Sequence, residues 1–301
     1  MGGIALDLRL LNYFLAVVRE ENISRAAEML HVTQPTLSRQ MTQLEEIIGQ
    51  ELFVRGKHLQ LTEAGMILRH RAEEVVQLMD RIKNDLAAQD ELVGIIRIGC
   101  GGQKSVAFLL ECLDEFNELH PQVTYDIFTN NADNIKEKLE RGLLDFGVLL
   151  EPVDISQYDY VRLKEKDNWG ILMQAKSPLA SKKEITLADL QDIPIVTTNR
   201  LALSQEIRHW FGKDFDKIQM KGTYNIITNV ASLVASGKAC ALTIDGAVAL
   251  YNPDKLVFRP LSPALSMTSV LAWKKVNSGY GIAGKFLHYY QERLERREQN
   301  Q

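Results

Sequence analysis

Cysteine is scarce in this chain. There are three in 301 residues, Cys100, Cys112 and Cys240, far apart and outside any C-x-x-C pair. That spacing offers neither a zinc site nor a disulfide framework, and a reducing cytoplasm is the simplest home. Long apolar runs are missing too: none approaches the roughly 18 residues that a membrane span needs. The opening MGGIALDLRLLNYF has no basic n-region, no apolar h-region and no small-residue cleavage site, so neither secretion nor membrane insertion is expected. Excess positive charge is absent: 35 Lys and Arg stand against 39 Asp and Glu, a net of −4. Bulk electrostatics therefore do not draw the whole molecule to nucleic acid. No tandem repeat, low-complexity tract, nucleophile elbow, HExxH or paired-carboxylate constellation is evident, so no enzyme, metal or cofactor is expected.

What remains is an ordinary soluble composition, 46% hydrophobic and 25% charged, long enough for two domains or more. Three segments follow one another. Residues 1–62 read as short helices and a small hairpin. Asp7 is placed to cap the first helix, with Leu8, Leu11, Leu15 and Val18 at helical spacing. Asn22 or Ser24 can cap a second, whose Ala26 and Ala27 give a close-packing face. Thr33 can cap a third, with Pro35 in its first turn and Gly49 as its stop. LFVRGKHLQLT then alternates around Gly56-Lys57-His58, the pattern of a two-stranded wing. Residues 63–91 read as one helix capped by Thr62. Leu68, Ala72, Val75, Met79, Ile82 and Leu86 form a heptad seam that a partner chain would cover. From 92 to 301, strands alternate with helical patterns. The strands are IIRIG (95–99), VTYDIF (123–128), LDFGVLL (144–150), WGILM (169–173), IPIVTT (193–198) and TSVLAW (268–273). The helical patterns include 105–119, 131–141 and 203–212, which predicts α/β layers with a largely parallel sheet.

The third helix carries the first functional signal. With Leu37, Met41, Leu44 and Ile48 turned inward, Pro35, Arg39, Thr42 and Glu46 point out, flanked by Thr36, Ser38 and Gln43. A small, hydrogen-bonding N-terminal half with a central arginine is what a recognition helix in a major groove requires. Arg39 can fork onto guanine or hold phosphate; Gln34 and Gln43 can read adenine. The bland alternative is a solvated bundle face. Against it stand the Ala-Ala helix and tight turn before, the basic hairpin after, and a dimerising helix that would present two readers to one duplex. Charge argues mildly the other way, since six Lys and Arg meet seven Asp and Glu through Thr62, although Arg25, Arg39, Arg55 and Lys57 fall on elements expected to face DNA. Modest affinity per protomer follows, with dependence on oligomerisation.

These residues resemble a known family. ISRAAEMLHVTQPTLSRQMTQLEEIIGQELFVRGKHLQLTEAG is similar to the N-terminal domain of LysR-type transcriptional regulators. The likeness runs through Ala26-Ala27, Gln34-Pro35, Ser38-Arg39, Leu44-Glu45, Gly49, Leu52-Phe53 and Leu61 to Gly65. The wing is a residue shorter than is common. The resemblance implies DNA contacts from Thr33, Gln34, Pro35, Ser38, Arg39, Arg55 and Lys57, and less directly from Ser24 and Thr36. It implies a fold of class α + α/β: an N-terminal winged helix-turn-helix, a long linker helix, and a C-terminal two-lobed α/β effector domain resembling periplasmic binding proteins. Lobe I would be about 92–162 and 267–301, and lobe II about 163–266, with two crossing strands as hinge. A bacterial homodimer or homotetramer on double-stranded DNA with an interrupted palindrome is the expected assembly.

In open α/β sheets, ligands sit at the carboxyl ends of strands beside helix N-termini. That rule selects Gly102, Gln103, Lys104 and Ser105, then Thr129 and Asn130, then Thr198, then Thr243. Asn225 and Ile226 fall where family members often line the cleft. Amides and hydroxyls at helix starts suit a small organic anion, and Lys104 would add charge. Glu151 could instead meet an amine and admit a zwitterion. GCGGQKS superficially suggests a nucleotide phosphate loop, but Gln103 stands where that motif needs glycine. A redox role for Cys100 or Cys240 competes with plain burial, the favoured reading. A solute-binding protein would account for the lobes alone, but not for residues 7–90.

Overall fold

The computed structural model describes residues 6–54, 59–86, 92–275 and 281–299. The chain divides into two compact units, residues 1–86 and 87–301.

The first unit opens with α1 (Leu8–Glu20), α2 (Ile23–Met29) and α3 (Gln34–Ile48). Each helix begins where a short polar side chain takes over an orphan N–H. Asp7 accepts from Leu10 N at 2.8 Å, Asn22 from Arg25 N at 3.1 Å and Thr33 from Thr36 N at 3.4 Å. Gly49 ends α3 at φ 76°, a left-handed conformation that glycine adopts without strain. Phe14, Leu37, Leu44 and Leu52 are fully buried in the shared core. The inward stripe of α3 finishes on Ile47, which packs on that core; Ile48 is exposed. The expected stripe therefore drifts by one residue at its end, because 3.6 residues per turn carries position 48 past the core.

Two short strands, β1 (Phe53–Val54) and β2 (Gln60–Leu61), pair antiparallel. The predicted contacts Arg55 and Lys57 lie outside the described residues. Helix α4 (Glu63–Leu86) begins at Thr62, whose hydroxyl accepts Gly65 N at 3.0 Å. Its expected seam is split. Ala72 is buried in the unit's own core and Leu68 packs there, while Val75 and Ile82, together with Leu78, stay exposed. The first turns of α4 are consumed by intrachain packing, mostly against α1.

The second unit is built on one long strand, β6 (Tyr158–Gln174), which serves two sheets. In lobe I, parallel strands β3 (Gly94–Cys100), β4 (Val123–Thr129) and β5 (Phe146–Leu150) give the order β4-β3-β5-β11-β6, with β11 at Ser266–Lys274. In lobe II, parallel strands β7 (Ile195–Thr198), β8 (Met220–Tyr224) and β9 (Cys240–Ile244) give β10-β6-β9-β7-β8, with β10 at Leu256–Pro260. Each sheet is parallel in its ligand-facing half and antiparallel where β6, β10 and β11 join it, so the expected largely parallel sheet is a mixed one. The pairing of β6 with β11 shifts between Leu163 and Asp167, which puts the change of lobe at about 164–168.

Alternate residues of central strands face different helices, the period-two rule of a sheet covered on both sides. In lobe I, Val148 and Leu271 pack in the cluster with α5 (Ser105–Leu119) and α9 (Gly281–Gln299); Leu149 and Val270 pack with α6 (Ala132–Glu140). In lobe II, Ile171 and Met173 pack with α7 (Leu201–Phe211), and Leu172 packs with α8 (Ile227–Ala235). Among the described residues, no helix is long and apolar enough to cross a membrane.

Candidate DNA-facing helix and effector cleft

Helix α3 presents the polar face that its sequence spacing predicts. Thr33, Gln34, Pro35, Thr36 and Arg39 are exposed, Ser38 is half-buried, and Ser24 is exposed on α2. The hydroxyls of Thr33 and Thr36 lie 2.8 Å apart, and Thr42 donates to Ser38 O at 3.3 Å. Arg39 has no ion-pair partner among the described residues, so its guanidinium is available to an outside anion. Arg25 is committed elsewhere: its Nη2 donates to Glu20 O at 2.6 Å. Glu45 turns back from the same helix. Its Oε1 accepts Leu52 N at 2.8 Å and Phe53 N at 3.3 Å, fixing the start of the wing against α3. Spacing alone gave no hint of that role.

In the second unit, a cavity of about 160 Å³ lies between the lobes at the carboxyl ends of the parallel strands. That is the size of an apolar cavity that accepts a benzene-sized ring. Gly102 and Gln103 follow β3, Thr129 and Asn130 end and follow β4, and Thr198 and Thr243 stand near the ends of β7 and β9; all line it. Asn225 and Ile226 line it from the start of α8. Residues of the first turns of α6 and α8 reach the cavity, and α8 has no side-chain cap. Free N–H groups and the positive ends of helix dipoles therefore face inward. Gln103 spends its Oε1 on Gly101 N at 2.9 Å, which leaves its amide group as a donor.

Two predicted residues do not line the cavity. Lys104 points to Asp245, with Nζ 2.6 Å from Oδ2, and so bridges the lobes. Ser105 is buried, and its hydroxyl has no hydrogen-bond partner. Glu151 does not line it either. Arg162 contacts it at 2.9 Å and Thr268 donates to it at 2.5 Å. Burial works against its charge, but these partners hold the carboxyl below its usual range. All three cysteines are buried, and burial pushes the Cys100 thiol up to about 11 and Cys112 to about 12. Thiols so protonated are poor nucleophiles.

Sequence reasoning missed several lining residues. Trp169 and Leu150 supply apolar walls from strands that read as ordinary core, and Ile244 adds to them from β9. Arg200, two residues beyond the selected Thr198, is the one charged residue among those lining the cavity. Below the cavity, the loop at 101–104 meets the loop at 245–247. Asp167, fully buried on β6, joins them: Lys104 N donates to its Oδ1 at 3.1 Å and Gly246 N donates as well. Its Oδ2 has no partner. Burial, with the nearby Asp245 carboxylate, raises its pKa to about 6.

A helix-turn-helix with a short antiparallel wing, followed by a two-lobed domain with a ligand-sized cleft, defines a class: the ligand-responsive transcription regulator. Comparison with known proteins makes the family plain. Residues 8–66 match the bacterial regulatory helix-turn-helix protein, lysR family, and residues 89–294 match the LysR substrate binding domain. The chain belongs to the LysR family of transcriptional regulators. It is 30% identical over 297 residues to the Hca operon transcriptional activator HcaR of Escherichia coli, covering 96% of this chain and 98% of that one. It is 29% identical to the regulator YtlI of Bacillus subtilis, over 80% of this chain and 81% of that one. The LysR family regulator CbnR shares the fold at a TM-score of 0.72 and 20% identity, over 95% of this chain and 99% of that one.

Proposed function

We propose that this regulator binds an interrupted palindrome in double-stranded DNA through α3, as a homodimer or homotetramer, and that a small organic anion in the cleft sets its activity. The observation that carries the DNA half is the exposed N-terminal face of α3, with Arg39 free of an ion-pair partner among the described residues. Thr33, Gln34, Pro35, Thr36 and Ser38 surround that arginine at base-contact range, while Ser24, Arg55 and Lys57 are assigned to the phosphates. CbnR, a structural neighbour, has been crystallised with its target DNA at a TM-score of 0.71 to this chain, which supports the reading. The exposed apolar residues Val75, Leu78 and Ile82 on α4 fit a partner helix.

The ligand half rests on a cavity that holds donors and one cation but no carboxylate. Gly102, Gln103, Thr129, Asn130, Thr198, Asn225, Ile226 and Thr243 are the contacts. Lys104 is assigned to the lobe contact instead, and Ser105, which does not line the cavity, is not a contact. Because Arg162 occupies Glu151, no free acid waits for an amine, which favours an anion over a zwitterion. Nothing in this mechanism calls for catalysis, a metal or a cofactor.

The test is selection of bound sites from random duplex DNA with wild type and Arg39→Ala. An enriched interrupted palindrome, with one base position relaxed and affinity lower by about 1–3 kcal/mol in the variant, is the expected result. An identical motif and affinity in both proteins would remove Arg39 from base reading.

A further inference from the structure

Arg200 has features that a plain cavity wall does not explain. It caps the start of α7, where the helix dipole disfavours a cation. Its side chain is 2% exposed. From lobe II it reaches three partners in lobe I. Nη1 donates to Leu150 O at 2.7 Å, Nη2 to Pro152 O at 2.6 Å, and Nε to Asp133 Oδ1 at 3.2 Å. Two of these acceptors are neutral carbonyls. The third, Asp133, is 62% exposed, so water screens the single counter-charge. A buried cation this poorly compensated is destabilising until further negative charge approaches it. A guanidinium carries five N–H donors. Three are engaged, which leaves one on each terminal nitrogen of a residue that lines the cavity.

We propose that Arg200 is both the latch between the lobes and the residue that reads charge in the cavity. It ties lobe II to lobe I through its three bonds. An anionic effector that accepts its two unused N–H groups supplies the missing counter-charge and tightens the closure. This rests on the reading of the cavity as the effector site. The α7 position makes sense in these terms: the residue stands there for what it reaches across the cleft, against the preference of its own helix.

The test uses the full chain in a Trp210→Phe background, where Trp169 reports on the cavity and Trp273 stays buried. Arg200→Gln, Arg200→Lys and Asp133→Asn are compared with the parent. Without ligand, acrylamide quenching of Trp169 is expected to rise strongly in Arg200→Gln and less in Asp133→Asn. Unchanged quenching in both overturns the latch. Benzoate and its neutral isostere benzamide are then titrated, since the cavity suits one ring. The parent is expected to prefer benzoate by about tenfold or more, the scale of a hydrogen bond to a charged group. Arg200→Gln is expected to erase that preference, so that benzoate and benzamide bind the variant alike. Arg200→Lys keeps the charge but cannot fork onto two carbonyls, so it should keep part of the preference with a loosened latch. A benzoate preference that survives in Arg200→Gln overturns the charge-reading role. Binding of neither probe by the parent contradicts the cavity reading, and with it the charge-reading role, while quenching still decides the latch. Should Arg200→Gln fail to fold, Arg200→Lys and Asp133→Asn carry the same comparison.

Discussion

Gly246→Ala isolates the contact between the lobes. Gly246 does not sit at positive φ, so alanine suits its backbone and only space is at issue. An added Cβ would lie 2.4 Å from Asp167 Oδ1, 2.6 Å from Gly102 O and 2.6 Å from Lys104 N. Two of these are backbone atoms, and the third is a buried carboxylate pinned by Lys104 N. None can swing aside as the end of a flexible side chain would. Ordinary van der Waals contact needs 3.4 Å or more, so the loops must part by about 1 Å. Overpacking of this kind costs about 1–3 kcal/mol. Because opening the cleft relieves it, the penalty falls on the closed arrangement and shifts the balance toward open by about 5- to 150-fold. The assay is hydrogen exchange by mass spectrometry on peptides spanning 101–106 and 244–250. Exchange of the Lys104 and Gly246 amides, both bonded to Asp167, should accelerate while the helices of each lobe keep their protection. Unaltered exchange in both peptides, with native thermal melting, would refute the claim that these loops hold the lobes together.

Three other expectations follow from particular contacts. Glu45→Ala strands the N–H groups of Leu52 and Phe53 and should cost about 1–3 kcal/mol, with DNA affinity falling as the wing loosens; denaturant melts and a binding titration check it. Asp167 titrates near 6 when folded against 3.8 ordinarily, so the folded state binds the extra proton between those values and loses stability as pH rises through 6. Asp167→Asn should therefore stabilise by up to about 3 kcal/mol at pH 7.5 and little at pH 4, and a stability gap that does not change with pH would contradict this. Val75→Asp places a charge in the exposed apolar stripe of α4 and should lower the assembly's mass in light scattering, since a desolvated unpaired charge opposes helix pairing.

Local chemistry was legible because it is carried by neighbours in the chain. Asp7, Thr33 and Thr62 were placed as caps by their position ahead of apolar periodicity, Asn22 as one of two candidates with Ser24, and Gly49 as a stop, since each needs partners only three or four residues away. Helix α5 runs over the predicted 105–119 because its apolar face is continuous. The first half of β6, YDYVRLKEKDN, escaped notice because its outer face is charged and its pairing partners in β11 lie 98 to 116 residues away. Strand β10 escaped because it is five residues long and pairs with β6 more than 80 residues away. The rule that ligands gather at strand carboxyl ends found Gly102, Gln103, Thr129, Asn130, Thr198 and Thr243 on the cavity wall, since it depends only on the order of strands and helices; Asn225 and Ile226 came from the family resemblance.

Hydrophobic period, caps and turn residues are written along the chain, so the helix-turn-helix and its outward polar face were legible in them, while the two-lobed plan came from the resemblance to LysR-type regulators. Where the charges went is visible only in the folded chain. Lys104 was drawn from the cavity to Asp245, Glu151 to Arg162, and Arg200 from the start of a helix across to the carbonyls of the other lobe. Such pairings depend on which distant charge lies within a few ångströms once the sheets have closed, and no local pattern encodes that distance.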